Sequence, residues 1–157
     1  MAAFHTNANY KEACAGIEAG ADRIANACAA YNIYQKPCIV VDFGTATSFD
    51  IVNKNGEFVG GIIAPGLNLQ LKVLNKFTSK LPHLDVAVSP FAIGSNTTDA
   101  ILSGVIRGSA CMIEGLINQC EAELKEKAIV VATGGYSSIL ENSPSSFSKT
   151  LLNEAET

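Results

Sequence analysis

The sequence predicts a mixed α/β domain whose elements follow the order α-βββ-α-β-α-β, and three observations carry this prediction. An apolar run ends at Asp42, and two β-rich segments follow it around an Asn55-Gly56 turn, which is the strongest short-range signal for a β-hairpin. Apolar residues recur three and four positions apart from Thr97 to about Lys127, as on one face of a long helix. A short apolar run from Ala128 to Ala132 has the length and composition of a buried strand.

The helices are predicted from the spacing of their apolar residues and from their ends. Ile17, Ile24, Cys28 and Tyr31 lie close to one helical face of the first segment. The long helix can be capped by Asn96, Thr97 or Thr98, because a side-chain oxygen at that position accepts a hydrogen bond from the first turn. The predicted helices are Tyr10–Tyr34, Asn68–Thr78 and Thr97–Lys127, with a further helix starting after Thr133-Gly134-Gly135.

The strands are predicted from short β-rich runs between turn residues. The first delivers Asp42 into a turn that carries Gly44, Thr45 and Thr47. The later strands are Ser48–Val52, a third strand that ends at Pro65-Gly66, Leu84–Val88 and Ala128–Ala132.

Composition bounds the class of protein. The chain has 157 residues, of which 48% are hydrophobic and 17% charged, enough for one globular domain with a core. A net charge of -4 without clustered Lys or Arg excludes a nucleic-acid partner. We see no apolar run that approaches a membrane span and no signal peptide, so we expect a cytoplasmic protein with no membrane partner. Five cysteines without CxxC spacing are expected to be buried thiols in a reducing compartment.

The turn after the first strand is a candidate binding site. An acid, a glycine and two hydroxyls at a strand-to-strand turn suit phosphate oxygens and a cation, because glycine admits close backbone approach and threonine offers a hydroxyl. A hairpin follows the turn, which argues against a Walker P-loop or a Rossmann fingerprint, since both need a helix there. A hairpin with threonine-rich strands and a solvated Asp42 is an equally good interpretation of this segment alone.

In its details the sequence resembles type III pantothenate kinase, and the three-stranded meander followed by αβαβ resembles a ribonuclease-H-like lobe of the actin, Hsp70 and sugar-kinase superfamily. Five blocks in the family's order carry the resemblance. They are Gly20-Ala21-Asp22-Arg23-Ile24-Ala25-Asn26, Asp42-Phe43-Gly44-Thr45-Ala46-Thr47, Gly60-Gly61-Ile62-Ile63-Ala64-Pro65-Gly66, Ile93-Gly94-Ser95-Asn96-Thr97 and Ala132-Thr133-Gly134-Gly135.

The resemblance implies ATP-dependent phosphorylation of pantothenate, the first step of coenzyme A synthesis, by a cytoplasmic homodimer that uses Mg²⁺ and a monovalent cation, K⁺ or NH₄⁺. It implies that Asp22 is the general base and that Asp42 ligates the monovalent cation. The other implied contacts are Gly20, Ala21, Asp22, Arg23 and Thr97 with pantothenate, and Gly44, Thr45, Gly134 and Gly135 with ATP.

Each of these residues also has a purely structural interpretation. Asp22 and Arg23 could be a first-turn acid that complements the helix dipole and a surface base beside it. Thr97 could be a helix cap, and Gly134-Gly135 a strand-to-helix turn.

The resemblance covers little more than the second lobe of such a kinase. The DxGNT phosphate loop that opens the family's first lobe does not occur in the sequence. We therefore expect residues 1–141 to form a single ribonuclease-H-like lobe and residues 142–157 to be a polar, loosely ordered tail. Three functions stay open: a pantothenate kinase or its second lobe, a non-catalytic binding or regulatory module of the same family, and a superfamily kinase acting on another small molecule.

Overall fold

A four-stranded sheet forms the centre of the fold. The computed structural model describes residues 20–78, 81–88 and 90–141. In the sheet, β1 pairs antiparallel with β2, β2 pairs antiparallel with β3, and β4 lies parallel to β1, so that the strand order is β3-β2-β1-β4. The strands are Cys38–Phe43 (β1), Ala46–Val52 (β2), Phe58–Pro65 (β3) and Ile129–Thr133 (β4). The mixed α/β class predicted from the sequence is confirmed.

Within residues 20–141, as far as they are described, four helices accompany this sheet. The long third helix contains one π-helical turn, Ser103–Arg107, and Asn96 caps its start by accepting a hydrogen bond from the Asp99 N–H at 2.9 Å. The helices are Ala21–Tyr34 (α1), Leu67–Phe77 (α2), Thr97–Leu124 (α3) and Ser137–Glu141 (α4).

The turn predicted at Asn55-Gly56 connects β2 to β3. The Asn53 side chain accepts hydrogen bonds from the N–H groups of Asn55 at 2.9 Å and Glu57 at 3.0 Å. Gly56 has a φ of 78°, in the left-handed region that glycine adopts without steric cost. The register of the β2–β3 pair therefore begins at a turn that the sequence specifies locally.

Side-chain alternation gives the sheet two different faces. On one face, which we call the α3 face, Val41 and Phe49 join the apolar residues of α2 and α3 in the larger core cluster. On the other, the α1 face, Val40, Val52 and Phe58 pack against Ala27 and Tyr31 of α1 in a smaller cluster. Because successive strand residues point to opposite faces, each residue of β1 and β2 is assigned to a face by its position alone.

Two predicted elements differ in the structure. Residues 82–88 form no strand, so the strand predicted at Leu84–Val88 is wrong: Leu84 and Val86 pack partly buried against the larger core, but the segment joins no ladder of the sheet. The long helix ends at Leu124 instead of Lys127, because Lys125 adopts a left-handed φ of 59° and its N–H bonds to the Glu121 carbonyl. The predicted helical residues from 10 to 19 and the predicted tail from 142 to 157 lie outside the described residues.

The cysteine prediction is right for only part of the described chain. Cys28 and Cys38 are buried thiols, whereas Cys111 is exposed and Cys120 is half-buried.

The third helix also corrects the expectation that no segment approaches a membrane span. Thr97–Leu124 has 28 residues and a mean hydropathy of 1.5, so it is long and apolar enough to cross a membrane by length and composition. The same helix carries Ile106, Ala110 and Ile113, all fully buried in the larger core. Core helices of soluble proteins meet the same two criteria, so this finding is weak support for a membrane location.

Candidate functional site

Polar residues collect on the α1 face at the carboxyl end of β1. Asp42 lies opposite Ser48 of β2 and Thr133 of β4 in the registers of the two ladders. Asp50 lies two residues further along β2, opposite Val40 on one side and Gly61 on the other. All four polar residues share the face of Val40 because strand side chains alternate with a period of two.

The first turn of α1 lies over this end of the sheet. Gly20 is the N-cap and has an extended backbone, with φ -63° and ψ 150°, and no side chain caps the helix. Asp22 is exposed, and its Oδ1 atom lies 2.6 Å from the point that a Cβ on Gly20 would occupy. A side chain at position 20 would therefore displace the Asp22 carboxylate. This close approach explains why a glycine occupies the position.

Arg23 extends from the same turn onto the sheet and pairs with Asp50. Its Nε and Nη2 atoms lie 2.7 Å and 2.6 Å from the same carboxylate oxygen, Asp50 Oδ1. Nη2 also donates to the Phe49 carbonyl at 3.3 Å. The Arg23 side chain is 20% exposed and that of Asp50 only 1%, so this is a largely desolvated ion pair.

The charge of Asp50 is set by opposing effects. Burial raises its pKa above the ordinary value of 3.8, while the hydrogen bond and positive charge of Arg23 act in the opposite direction. The negative charges of Asp42 and Asp22 raise the pKa of Asp50 further, which shows that the three carboxylates share one electrostatic neighbourhood.

The turn after β4 passes directly over Asp42. Gly134 has a φ of 92°, and a Cβ there would lie 2.4 Å from Asp42 Oδ1 and 2.6 Å from the Phe43 nitrogen. Only glycine fits this position. Gly135 has open space where a Cβ would be, as far as the described residues show, so the turn presents its backbone outward at Gly135.

The turn between β1 and β2 reaches the same end of the sheet. The Gly44 N–H donates to the Ala46 carbonyl at 3.1 Å, and the Gly66 N–H donates to the Thr45 carbonyl at 3.1 Å. These bonds hold the turn against the start of α2, while the Thr45 side chain is exposed. The backbone is therefore fixed and the threonine hydroxyl is accessible to a ligand.

The structure brings most of the predicted site residues to one end of the sheet, but it places Thr97 differently. Gly20, Ala21, Asp22 and Arg23 lie at the start of α1, while Asp42, Gly44, Thr45, Gly134 and Gly135 lie at or just beyond the carboxyl ends of β1 and β4.

Thr97, in contrast, begins α3, which packs on the α3 face. With 28 residues α3 is roughly 42 Å long, about twice the length of β1. A helix of that length extends beyond the sheet at one or both of its ends. Asn96, one of the three predicted capping residues, caps the helix, so the alternative interpretation of Thr97 as the cap is not supported.

Asp50 and Gly61 are the site residues that the sequence interpretation missed. Asp50 is fully buried, and its Oδ2 atom has no hydrogen-bond partner among the described residues. An acid between Phe49 and Ile51 in a predicted strand was the available signal, since a buried carboxylate needs a partner. The partner, Arg23, lies 27 residues earlier, and no local pattern connects the two.

The residues around Asp42 place several side-chain oxygens at one end of the sheet. A half-buried carboxylate with the side chains of Ser48 and Thr133 opposite it offers the oxygen ligands that hard cations prefer. Within the described ranges no group of three or more His, Cys, Asp or Glu residues could hold a metal ion.

Comparison with known proteins gives consistent matches to one family. A family model described as type III pantothenate kinase matches residues 4–119. The type III pantothenate kinase of Dehalococcoides mccartyi strain BAV1 is 49% identical over 123 residues, which cover 78% of this chain and 47% of the relative. That of Cereibacter sphaeroides is 42% identical over 134 residues, covering 85% of this chain and 52% of the relative. The chain thus spans about half the length of the curated relatives it matches.

A solved structure shows the same fold. A Campylobacter jejuni protein, described as a Baf family transcriptional activator, superposes with a TM-score of 0.59 at 24% identity. The match covers 96% of this chain and 76% of that one. At this level of identity the likeness concerns the fold alone.

The raised pKa of Asp50 predicts a pH-dependent stability. Between 3.8 and the raised pKa the folded state binds more protons than the unfolded state, so the free energy of unfolding contributed by Asp50 falls as pH rises from about 4. Urea unfolding of the wild type and of Asp50→Asn should therefore give a stability difference, wild type minus variant, that decreases with rising pH. Val52→Ala, on the same strand and face, retains Asp50. The stability difference between the wild type and Val52→Ala should therefore not change with pH. If the stabilities of Asp50→Asn and the wild type change with pH in parallel, the raised pKa of Asp50 in the folded state is contradicted.

Proposed function

The chain belongs to the type III pantothenate kinase family, and we propose that it carries the pantothenate site of an enzyme that phosphorylates pantothenate with ATP in the first step of coenzyme A synthesis. The observation that carries the proposal is the meeting of two family blocks at one end of the sheet, the Gly20–Arg23 turn and the Asp42–Thr45 turn. The strand order β3-β2-β1-β4, with β4 parallel to β1, supports a ribonuclease-H-like lobe. We place the enzyme in the cytoplasm.

Asp22 is the general base in this proposal. Phosphoryl transfer from ATP passes through a loose transition state, so the substrate alcohol needs positioning and a late proton acceptor more than early deprotonation. The exposed Asp22 carboxylate, held beside the Gly20 backbone, can accept a hydrogen bond from the primary hydroxyl of pantothenate. As the oxygen attacks the γ-phosphorus and the bond to the bridging oxygen breaks, the hydroxyl proton passes to Asp22.

ATP occupies the carboxyl ends of β1 and β4 in this proposal. The exposed Thr45 hydroxyl and the Gly135 backbone face outward there, and Gly44 allows close approach of the chain to phosphate oxygens. Gly134 contributes by letting the turn pass close to Asp42. Asp42, with Ser48 and Thr133, would hold the monovalent cation, K⁺ or NH₄⁺, whose charge screens the phosphates. The Mg²⁺ that accompanies ATP is assigned to no described residue, and no step is assigned to it.

A homodimer would complete the site by bringing in Thr97. The residues just before α3 include Phe91 and Ile93, which are 67% and 89% exposed. Large apolar side chains that remain exposed together favour association. A second copy that covers this segment could place Thr97 near the pantothenate of its partner.

The function and the role of Asp22 are tested together by measuring pantothenate-dependent ADP release. The assay uses the chain itself and a fusion that supplies the N-terminal half of the Dehalococcoides mccartyi relative. Asp22→Asn keeps the size and a hydrogen bond but removes the base, so turnover should fall about 10²- to 10⁴-fold with the melting temperature nearly unchanged. Asp85→Asn makes the same charge change at an exposed position outside the site and should retain wild-type turnover.

Three outcomes separate the alternatives in this assay. Wild-type turnover in Asp22→Asn would make the Gly20–Arg23 block a structural helix start. Pantothenate binding without turnover in both wild-type forms would favour the non-catalytic module. Neither binding nor turnover would contradict the proposed substrate.

The role of Asp42 is tested by the response to potassium. Removing its charge should abolish activation by K⁺, because the remaining ligands are neutral oxygens. Turnover of Asp42→Asn, measured with K⁺ and with a bulky organic cation as replacement, should be the same in both, whereas the wild type should respond to K⁺. A potassium dependence equal to that of the wild type would remove Asp42 from the cation site.

A further inference from the structure

The two edges of the Arg23 guanidinium differ in their hydrogen bonding. Both Nε and Nη2 meet a single oxygen of Asp50, and Nη2 adds a bond to the Phe49 carbonyl. Among the described residues, the hydrogen bonds of Arg23 use these two nitrogens alone, so Nη1 retains two N–H groups for another acceptor. One edge of the side chain is therefore bound to β2 while the other is available.

The sheet is shaped to receive this side chain. A Cβ on Gly61, the cross-strand neighbour of Asp50, would lie 2.1 Å from Arg23 Nη2 and 2.3 Å from the Phe49 carbonyl oxygen. No side chain can occupy that position while Arg23 lies across β2 and β3. Gly61 thus provides a slot for the guanidinium, within the Gly60–Gly66 block that resembles the family.

This pair also joins the first turn of α1 to the sheet through side-chain hydrogen bonds. The helix has no side-chain cap, and its first backbone bond runs from the Ile24 N–H to the Gly20 carbonyl at 3.2 Å. Ile24, at the end of this turn, packs partly buried against the smaller core cluster, and the fully buried contacts of α1 follow from Ala27 to Tyr31. Arg23 is the neighbour of Asp22 in this turn, so its anchor on β2 constrains the backbone that carries Asp22.

Stability alone does not explain a buried carboxylate in this place. A desolvated ion pair contributes little to stability relative to apolar residues of similar size, because removing two charges from water offsets their attraction. The neighbouring positions on the same face, Val40 and Val52, are apolar and fully packed. Asp50 thus occupies a position that an apolar residue would fill at least as well for stability.

We propose that Asp50 is a positioning residue, which holds the Nε–Nη2 edge of Arg23 in the Gly61 slot and thereby fixes the first turn of α1 so that Asp22 and the Nη1 edge of Arg23 face the substrate. This inference rests on the proposed function. Asp50 itself does not touch the substrate, since it is fully buried. It acts through Arg23, and its effect on catalysis should disappear when Arg23 is absent.

A double-mutant cycle tests this dependence in the ADP-release assay. Asp50→Ala should lower kcat/KM for pantothenate about 10- to 100-fold, with KM for ATP within about twofold of the wild type, because one partner of a charged pair is lost. Asp50→Asn, which keeps an acceptor for Arg23, should restore part of the loss. Added to Arg23→Ala, the Asp50→Ala change should lower kcat/KM by less than about threefold. Val52→Ala weakens the same strand without touching Arg23 and should leave KM for pantothenate unchanged.

Each outcome of the cycle decides for or against the proposal. Equal losses from Asp50→Ala in the presence and absence of Arg23 would overturn it, as would a Val52→Ala variant that reproduces the loss. If Asp50→Ala alone does not fold, the double variant, which leaves no unpaired buried charge, and Asp50→Asn provide the comparison. A wild type that neither binds nor phosphorylates pantothenate would overturn the proposed function as well, whereas an active wild type with additive losses overturns the Asp50 proposal alone.

Discussion

The contact between Arg23 and Asp50 links the two parts of the molecule on which the candidate site depends. Asp50 belongs to β2, next to the central strand that carries Asp42, and Arg23 belongs to the helix turn that carries Asp22. Nitrogen–oxygen distances of 2.7 Å and 2.6 Å join these elements across 27 residues of sequence. A rotation of α1 about its axis would break both contacts, so the pair, together with the packing of Ala27 and Tyr31 on the sheet, restrains the turn that carries Asp22.

Two close backbone approaches make this arrangement possible. Gly61 leaves room for the guanidinium, and Gly134 leaves room for the Asp42 carboxylate. In both places a Cβ would lie less than 2.5 Å from a polar atom of the site. Gly61 and Gly134 therefore have a common physical role, which is to let a charged side chain lie close to neighbouring backbone.

Local signals were sufficient for most of the fold. The Asn55-Gly56 turn, the apolar spacing of α3 and the buried run of β4 each follow from residues adjacent in sequence, and each element is present. The strand predicted at Leu84–Val88 is absent because a strand needs a pairing partner, which the alternation of Leu84 and Val86 does not reveal. Helix ends depend on single backbone conformations, such as that of Lys125, and were predicted less well.

The candidate site was predictable only where a family resemblance supplied it. Composition and spacing identified the turn at Asp42 but left its binding role open, and they gave Asp22 and Arg23 a surface role. Asp50 could not be found in this way, because its function depends on a tertiary contact with Arg23. The same limit applies to Thr97, whose position at the start of α3 follows from the packing of that helix and not from its own sequence block.

A crystal structure of the protein with pantothenate bound would test the central claim most directly. The account predicts that the primary hydroxyl of pantothenate lies within about 2.6–3.2 Å of the Asp22 carboxylate, while Arg23 keeps its Nε–Nη2 edge on Asp50. Pantothenate bound away from the first turn of α1, or a bound state in which Arg23 has left Asp50, would contradict it.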